Sequence, residues 1–329
     1  MTYLRATALT LDGKDGSDEI NLDVHLPTLG VAFQVEGGVL AAGNDTLTVT
    51  GVDGVNDLPV WTPSAMDAGV LTLSGQAPIR ATGIEHLRYD GQSDDEDLTV
   101  SGAGDFVHIS GMAPDAGRVN LTSDGAAFLT IQYANLGSGG RVTAAGTGTA
   151  DSLTARGTET ADRIDVAFTG PNAIDVDLAS GYGLHVDLRS TGVERFFIDG
   201  AQNGSDDIFL NTPVNAAAAF EVNGGGETDR LHLLADGSIM AVMLRPRPGV
   251  SGGGEVQGFG TPTICFSQLD AHRPARAHEL PEPGGRWRPA FECRRRRRPD
   301  YRQGRRTRLA DGRGQRRCGQ RSADRGPHR

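Results

Sequence analysis

The sequence lacks several features that are typical of compact globular proteins. Aromatic residues make up only 5% of the 329 residues, whereas a compact core of this size usually buries more large side chains. No cysteine precedes Cys265, so disulfides do not hold the first four-fifths of the chain together. No run is apolar enough to span a membrane, and no long stretch has the periodicity of an amphipathic helix. These absences argue against a disulfide scaffold, a helical bundle and a membrane-spanning protein.

Positive charge is scarce in most of the chain. Residues 1–270 contain 13 Lys and Arg against 36 Asp and Glu, a net charge of −23, and Lys14 is the only lysine. Residues 271–329 contain 19 Lys and Arg against 6 Asp and Glu, a net charge of +13. The acidic part argues against nucleic acid as its partner and suits divalent cations or solubility at high salt.

One short motif recurs through the acidic part. Residues 192–210 alternate apolar and polar residues on both sides of a Gly/Asn/Ser turn, which predicts strand, turn, strand. Residues 83–91 match the first half of this stretch. The second half is an acid, any residue, Ile or Leu, any residue and an aliphatic, and its copies begin at Asp18, Asp45, Glu96, Asp151, Asp162, Asp206 and Asp229. Weaker copies lie near residues 67, 124 and 175. Without the copy at Asp162, the nine copies from Asp18 to Asp229 have a mean spacing of about 26 residues.

This spacing favours an all-β repeat fold. A period of about 26 residues, made of short strands and Gly/Asp/Asn turns, predicts a parallel β-solenoid, similar to a β-helix or β-roll, of about nine coils. The alternative is a string of small β-sandwich repeats, in which a period of about 54 residues is a fragment of a domain. We expect a basic, disordered C-terminal tail in either case.

The composition predicts three parts. Residues 1–240 form the acidic β-repeat domain, and the repeat fades into a linker over residues 241–270. We interpret residues 271–329 as a reading in the wrong frame, because arginine codons such as those for Arg294–Arg298 permit glycine codons one base later. The alternative is a genuine basic tail that binds nucleic acid or an acidic surface. The first residues do not resemble a signal peptide, and the repeat has begun by Leu9, so we expect a piece of a longer protein.

Four copies of the motif carry a family resemblance. Residues 13–21 and 224–232 partly match the nonapeptide Gly-Gly-x-Gly-x-Asp-x-U-x, in which U is a large aliphatic residue, and shorter matches contain Asp45 and Asp206. The chain here resembles the haemolysin-type (RTX) repeats of large secreted bacterial proteins. The resemblance implies calcium bound by Asp18, Asp45, Asp206 and Asp229, and export without an N-terminal signal. In that family the copies run in tandem, whereas here they stand alone. The alternative is that Gly and Asp only form the turn.

No group of residues has the spacing of a catalytic site. The acidic run Asp94–Asp97 suits either a cation, a carboxylate pair that cleaves carbohydrate, or a solvated turn. Glu85 and Glu194 occupy the same repeat position, which favours a structural role. The histidines at 25, 86, 108, 185 and 232 lack metal-ligand spacing, and no phosphate loop or nucleophile elbow is present.

The sequence therefore predicts a non-enzymatic structural or adhesion-type segment of a bacterial repeat protein. We expect it to be extracellular or on the cell surface, with a surface or carbohydrate ligand, optional calcium, no nucleic acid bound through its acidic part and no membrane span. The alternative is a β-helix enzyme that acts on acidic polysaccharide, which would need clustered acids and Lys/Arg along one groove.

Overall fold

A computed structural model describes most of the acidic part of the chain. The described residues are 7–24, 30–38, 44–111, 115–180, 185–212, 217–235, 243–246, 252–257 and 263–270. They form an all-β fold without a helix, as the sequence predicts. No helix in these ranges is long and apolar enough to cross a membrane. The basic tail, residues 271–329, lies outside the described residues.

The described residues contain 25 strands. They are β1 (Ala8–Asp12), β2 (Glu19–Asp23), β3 (Ala32–Glu36), β4 (Thr46–Thr50), β5 (Val60–Ala65), β6 (Ala68–Thr72), β7 (Ile79–Thr82), β8 (His86–Asp90), β9 (Asp97–Gly102), β10 (Asp105–Ser110), β11 (Gly117–Ser123), β12 (Ala126–Ala127), β13 (Thr130–Ala134), β14 (Arg141–Gly146), β15 (Ser152–Arg156), β16 (Asp162–Gly170), β17 (Ala173–Ser180), β18 (His185–Thr191), β19 (Arg195–Asp199), β20 (Asp207–Thr212), β21 (Ala219–Asn223), β22 (Arg230–Ala235), β23 (Met243–Pro246), β24 (Gly254–Gln257) and β25 (Ile264–Ser267).

The strands form two large, mostly parallel sheets. Sheet A has the order β1-β3-β7-β6-β5-β9-β14-β18-β17-β16-β20-β22. Sheet B has the order β2-β4-β8-β13-β11-β10-β15-β19-β21-β25-β24-β23, with β12 paired to β11. Along the described residues, the chain passes back and forth between the sheets and visits each sheet eight times, with one or more strands at each visit. Each crossing from one sheet to the other is called a corner below.

Four visits place several antiparallel strands in one sheet instead of a single strand. These segments are β5–β7 and β16–β18 in sheet A, and β10–β13 and β23–β25 in sheet B. In the first three segments both outer strands pair in parallel with single strands of neighbouring visits, and in the last segment only β25 does so. These antiparallel segments add strands to one sheet without a crossing to the other sheet. The sheets therefore contain more strands than the predicted nine coils would supply.

The sequence motif locates the corners. All seven strong copies start at or directly before a strand that follows a corner, namely β2, β4, β9, β15, β16, β20 and β22. Residues 192–210 form strand, turn, strand as predicted, and their two strands, β19 and β20, lie in different sheets. The weaker copies near residues 67 and 175 coincide with β6 and β17, the middle strands of antiparallel segments. They therefore mark hairpins and not corners.

One part of the sequence interpretation is wrong. The sequence predicts a loop over residues 52–64 because of its Asp, Asn, Gly and Pro content, but β5 begins at Val60. Trp61 is 1% exposed and pairs with Leu71, so burial of a large ring outweighs the loop-forming composition. Pro63 lies where the register shifts between β5 and β6, and a bulge tolerates a residue without an N–H.

Side chains that point inward from both sheets form one hydrophobic core. Aliphatic residues of neighbouring strands stack in register, as in the fully buried row Leu98, Val142, Leu188, Val176 and Val166. This stacking buries many small side chains and accounts for a stable core with few aromatics.

Gly192 tests the packing of the corners. Its φ is +68°, and a methyl group on it would lie 2.5 Å from the carbonyl oxygen of Gly146 in the neighbouring corner. Gly75 has a similar φ of +73° but open space around it. We expect Gly75→Ala to lower the free energy of unfolding by about 1 kcal/mol, and Gly192→Ala by about 3 kcal/mol, because the backbone must also move. Urea denaturation of both variants measures the difference, and equal losses would contradict close corner packing.

Candidate functional site

The recurring feature of the structure is a glycine followed by an acid across a corner. The glycine lies at or directly after the end of one strand. The acid follows it by five to eight residues and lies before or at the start of the next strand. In eight described corners, a methyl group on the glycine would collide with the side chain of that acid. The pairs are Gly13–Asp18, Gly37–Asp45, Gly51–Asp57, Gly91–Glu96, Gly146–Asp151, Gly157–Asp162, Gly200–Asp206 and Gly224–Asp229. The acid needs glycine at this position, because its second carboxylate oxygen lies against the glycine backbone.

The acids of successive corners are linked through the backbone. The N–H of Asp162 donates to Oδ1 of Asp206 at 2.8 Å, and the N–H of Asp206 donates to Oδ1 of Asp229 at 2.9 Å. The N–H of Asp229 in turn donates to Oδ2 of Asp270 at 3.1 Å. Each carboxylate thus satisfies a corner N–H that no strand pairing can reach. We call this row of residues the carboxylate ladder.

The opposite corners contain the same ladder. The N–H of Asp18 donates to Oδ1 of Asp45 at 2.7 Å, and the N–H of Asp45 donates to Oε2 of Glu85 at 2.6 Å. Further along the chain, Asp151 N–H donates to Oε2 of Glu194 at 2.9 Å. Glu85 and Glu194 therefore have the structural role that their shared repeat position predicts.

Most acids of the ladder are removed from solvent. Seven of them are between 0% and 5% exposed: Asp45, Asp57, Glu96, Asp151, Asp162, Asp206 and Asp229. Desolvation is the largest effect on the pKa of Glu96 and Asp206 and raises each to about 7. Desolvation also raises the pKa of Asp57, Asp162 and Asp229. The other carboxylate oxygens of Glu96, Asp206 and Asp229 have no hydrogen-bond partner among the described residues, which adds to the cost of the charged form.

The corner at Glu96 brings three buried ionisable side chains together. The N–H of Asp57 donates to Oε2 of Glu96 at 2.8 Å, and the Tyr89 hydroxyl lies 3.5 Å from Oδ2 of Asp57. All three side chains are at most 1% exposed. Burial, with the two carboxylates close by, also raises the pKa of Tyr89. Because these three side chains are buried, they cannot contact a substrate as general acid and general base.

The acidic run Asp94–Asp97 does not form a joint site. Oδ2 of Asp94 accepts the N–H of Gly54 at 2.6 Å, and Oδ1 of Asp95 accepts the N–H of Gly139 at 2.7 Å. Asp97 faces Arg141 at 3.7 Å. The carboxylates diverge to separate loops, which fits neither a shared cation nor a catalytic pair.

The four predicted calcium ligands lie in the ladder, in two separate sets. Asp18 and Asp45 are neighbours on one side, and Asp206 and Asp229 are neighbours on the other. The described residues contain no group of three or more His, Cys, Asp and Glu side chains that could hold a metal ion. Calcium requires six to eight oxygen ligands. In the ladder, carboxylate oxygens instead accept hydrogen bonds from backbone N–H groups. This arrangement does not fit calcium at these residues.

The sequence reasoning missed two features of the interior. It did not include Asp57 in the repeat, although Gly51 and Asp57 have the same separation as Gly200 and Asp206. It also missed His108, which is fully buried and lies with Nε2 2.6 Å from the Tyr133 hydroxyl. Desolvation lowers the pKa of His108 to about 4. Its alternation with Phe106 on an inward strand face was the available signal.

A shallow surface cavity lies beside the β5 and β9 strands. Its volume is about 280 Å³, and its lining includes Thr62, Ser101, Ser123, Phe128 and Thr147. None of the lining residues titrates near neutral pH, so this cavity offers no general acid or base.

Comparison of the chain with protein-family models, with curated proteins and with solved structures finds no match.

The raised pKa values make the stability of the fold depend on pH. The carboxyls of Glu96 and Asp206 hold protons in the folded state up to about pH 7 but lose them near pH 4 when unfolded. Their contribution is present at low pH and is lost as the pH rises through about 7. His108 has the opposite effect, because its lowered pKa destabilises the fold as the pH falls from about 6.5 to about 4.

The carboxyls outnumber His108, so we expect the free energy of unfolding to be about 2 kcal/mol higher at about pH 5.5 than at about pH 7.5. Asp206→Asn should remove most of this difference. Asp124→Asn, in an exposed turn, should leave it unchanged and serves as the control. Urea denaturation at both pH values measures it, and a wild-type stability that increases towards pH 7.5 would contradict the buried, protonated ladder.

Proposed function

We propose that the chain is a continuous β-solenoid and acts as a non-enzymatic structural or adhesion-type segment of a bacterial extracellular or cell-surface repeat protein. The observation that carries this proposal is the repetition of one corner: the same glycine and the same carboxylate-to-backbone hydrogen bond recur from Asp18 to Asp270. A binding or catalytic centre is normally built once, whereas a repeated contact serves the length of a repeat structure.

Sheet continuity supports a solenoid over a string of small sandwiches. Each sheet runs without interruption through 12 or 13 strands, whereas separate sandwiches would form several small sheets. At about 4.8 Å between strands, a sheet of this size extends roughly 50 Å across its strands. Such a stack suits a spacer or a display surface.

The outer face of sheet A supports a structural role as well. Four of its five arginines are paired with aspartates of the same or a neighbouring strand: Arg141 with Asp97, Arg163 with Asp165, Arg189 with Asp175 and Arg230 with Asp207. The fifth, Arg80 on β7, is exposed and has no carboxylate partner among the described residues. Cross-strand pairs of opposite charge favour strand register. These acids and arginines therefore bind each other. A polysaccharide-cleaving enzyme would instead need its carboxylates to converge on one groove.

The proposal is tested in three ways, the first two with the whole chain. Small-angle scattering should show an elongated particle, and assays with polygalacturonate, alginate and hyaluronan should show no release of reducing ends or unsaturated sugars. Protease treatment of intact producing cells should release fragments of residues 1–270, as expected of a surface-exposed segment. Turnover of any of these polymers that is lost on substitution of a solvent-facing acid, such as Asp175→Asn, would show that the enzyme alternative is right.

Calcium binding, which the sequence resemblance implies, has its own test. Because the ladder carboxylates already accept backbone N–H groups, we expect millimolar calcium and a chelator to give the same melting temperature. A bound ion in excess would add about 2.7 kcal/mol at a hundred times its dissociation constant. A calcium-dependent rise that Asp229→Asn abolishes, and that Asp124→Asn keeps, would show that the ladder binds calcium after all.

A further inference from the structure

The outer face of sheet B carries a row of arginines that the ladder and the core do not use. Successive register partners place Arg88 opposite Gln132, Gln132 opposite Arg118, Arg118 opposite Ile109, and Ile109 opposite Arg156. These residues alternate with buried neighbours such as Leu87, Val119 and Leu153, so all of them face outward. Arg88, Arg118 and Arg156 thus lie in one row across the sheet, with one strand between each arginine and the next. We call these three residues the arginine row.

Two of the three arginines of the row lack a carboxylate partner among the described residues, whereas four of the five arginines of sheet A have one. Arg88 and Arg118 are exposed, and among the described residues neither has a carboxylate within 4.0 Å. Nε of Arg88 donates to the neutral amide oxygen of Gln132 at 3.2 Å. Arg156, at the end of the row, lies 3.6 Å from Asp199 and 3.8 Å from Glu159. Two unpaired guanidinium groups in a part of the chain with a net charge of −23 indicate a surface kept free for an anionic ligand.

The surroundings of the arginine row are polar and almost free of acids. The strands from β4 to β15 in sheet B contain only two acids, Asp90 and Asp105. Asp90 accepts hydrogen bonds from Asn135 and Gln92, and Asp105 accepts one from Ser152. The outward positions beside the row include the hydroxyl residues Thr130 and Thr154 and the apolar Val107. Hydroxyl and amide groups on a flat sheet can bond the hydroxyls of a sugar chain.

The spacing of the row selects the ligand. Two strands with one strand between them lie about 10 Å apart, which is twice the interstrand distance. Duplex DNA carries one charge per about 1.7 Å of its axis, which is far denser than the row, and the acidic body repels such a polyanion. A sugar unit in an extended polysaccharide is about as long as one interstrand distance, roughly 4.8 Å. An acid on every second sugar would therefore meet successive arginines.

We propose that the arginine row, Arg88, Arg118 and Arg156, binds an extended anionic polysaccharide that carries one carboxylate group per disaccharide. Guanidinium groups pair with carboxylates in a fork geometry, and the neutral residues beside them bond the sugar hydroxyls. The polymer lies across the strands of sheet B, along the stacking direction. This binding site rests on the proposed adhesion-type role and supplies its ligand, but a failure to bind would leave the scattering and turnover results of that proposal intact.

The test uses the whole chain and hyaluronan, in which a uronate alternates with a neutral amino sugar. Binding is measured by isothermal titration at low salt for the wild type, for the double variant R88Q/R118Q and for the matched control R189Q, whose arginine is paired on sheet A. We expect R88Q/R118Q to weaken binding at least tenfold, R189Q to change it less than twofold, and added salt to weaken it steeply. Circular dichroism checks that the variants remain folded.

Three results would overturn the proposal. The first is no binding by the wild type. The second is equal binding by the wild type and R88Q/R118Q, which would place the ligand on other basic residues, including those of residues 271–329, because the variants share them. The third is binding of single-stranded DNA or polygalacturonate as tight as that of hyaluronan with the same loss in R88Q/R118Q, which would show a general polyanion surface without the selected spacing.

Discussion

The fold depends on hydrogen bonds from corner backbone N–H groups to buried carboxylates. Where the chain passes from one sheet to the other, it leaves the strand ladders, and its N–H groups need partners that solvent does not provide in the interior. Asp206 and its equivalents supply these partners from the adjacent corner. A glycine at the end of the preceding strand leaves room for the carboxylate. Each corner therefore fixes the position of the next, and the sheets remain in register over many strands.

The same contacts carry an electrostatic cost. A carboxylate with 0% or 1% exposure loses its hydration, and one or two N–H donors replace only part of it. Protonation of Glu96 and Asp206 near neutral pH relieves this cost. The ladder thus combines geometric order with a stability that decreases as the carboxyls ionise. A repeat structure tolerates this cost because its stacked aliphatic rows bury apolar surface along the whole length.

The two sheets differ in how they use charge. On sheet A, four of the five arginines pair with aspartates, so most of its basic side chains are neutralised. On sheet B, Arg88 and Arg118 lie in one row and have no carboxylate partner among the residues that the structure describes. The proposed solenoid would therefore have a structural outer face on sheet A and the proposed ligand-binding face on sheet B, since successive side chains of every strand point to opposite sides of the sheet.

Much of the architecture could be predicted from the sequence because its signals are local. Alternation identified strands, and the acid before each strand, such as Asp206 or Asp229, marked where the chain enters a sheet. The antiparallel segments could not be derived in this way, since a hairpin strand such as β17 shows the same alternation as a strand that follows a corner. Asp57 was missed because its loop is rich in turn residues, and its hydrogen bond with the carboxylate of Glu96 places it in the ladder.

By itself, the sequence determined an all-β, repeated chain with acids at regular turns, because strand periodicity and turn chemistry depend on neighbouring residues. Only the tertiary structure decided what the acids do, since a hydrogen bond such as that between Asp45 and Glu85 joins residues 40 positions apart. It also decided that Arg88, Arg118 and Arg156 lie in one row, because strand order and register depend on which strands pair, and no local pattern encodes that pairing.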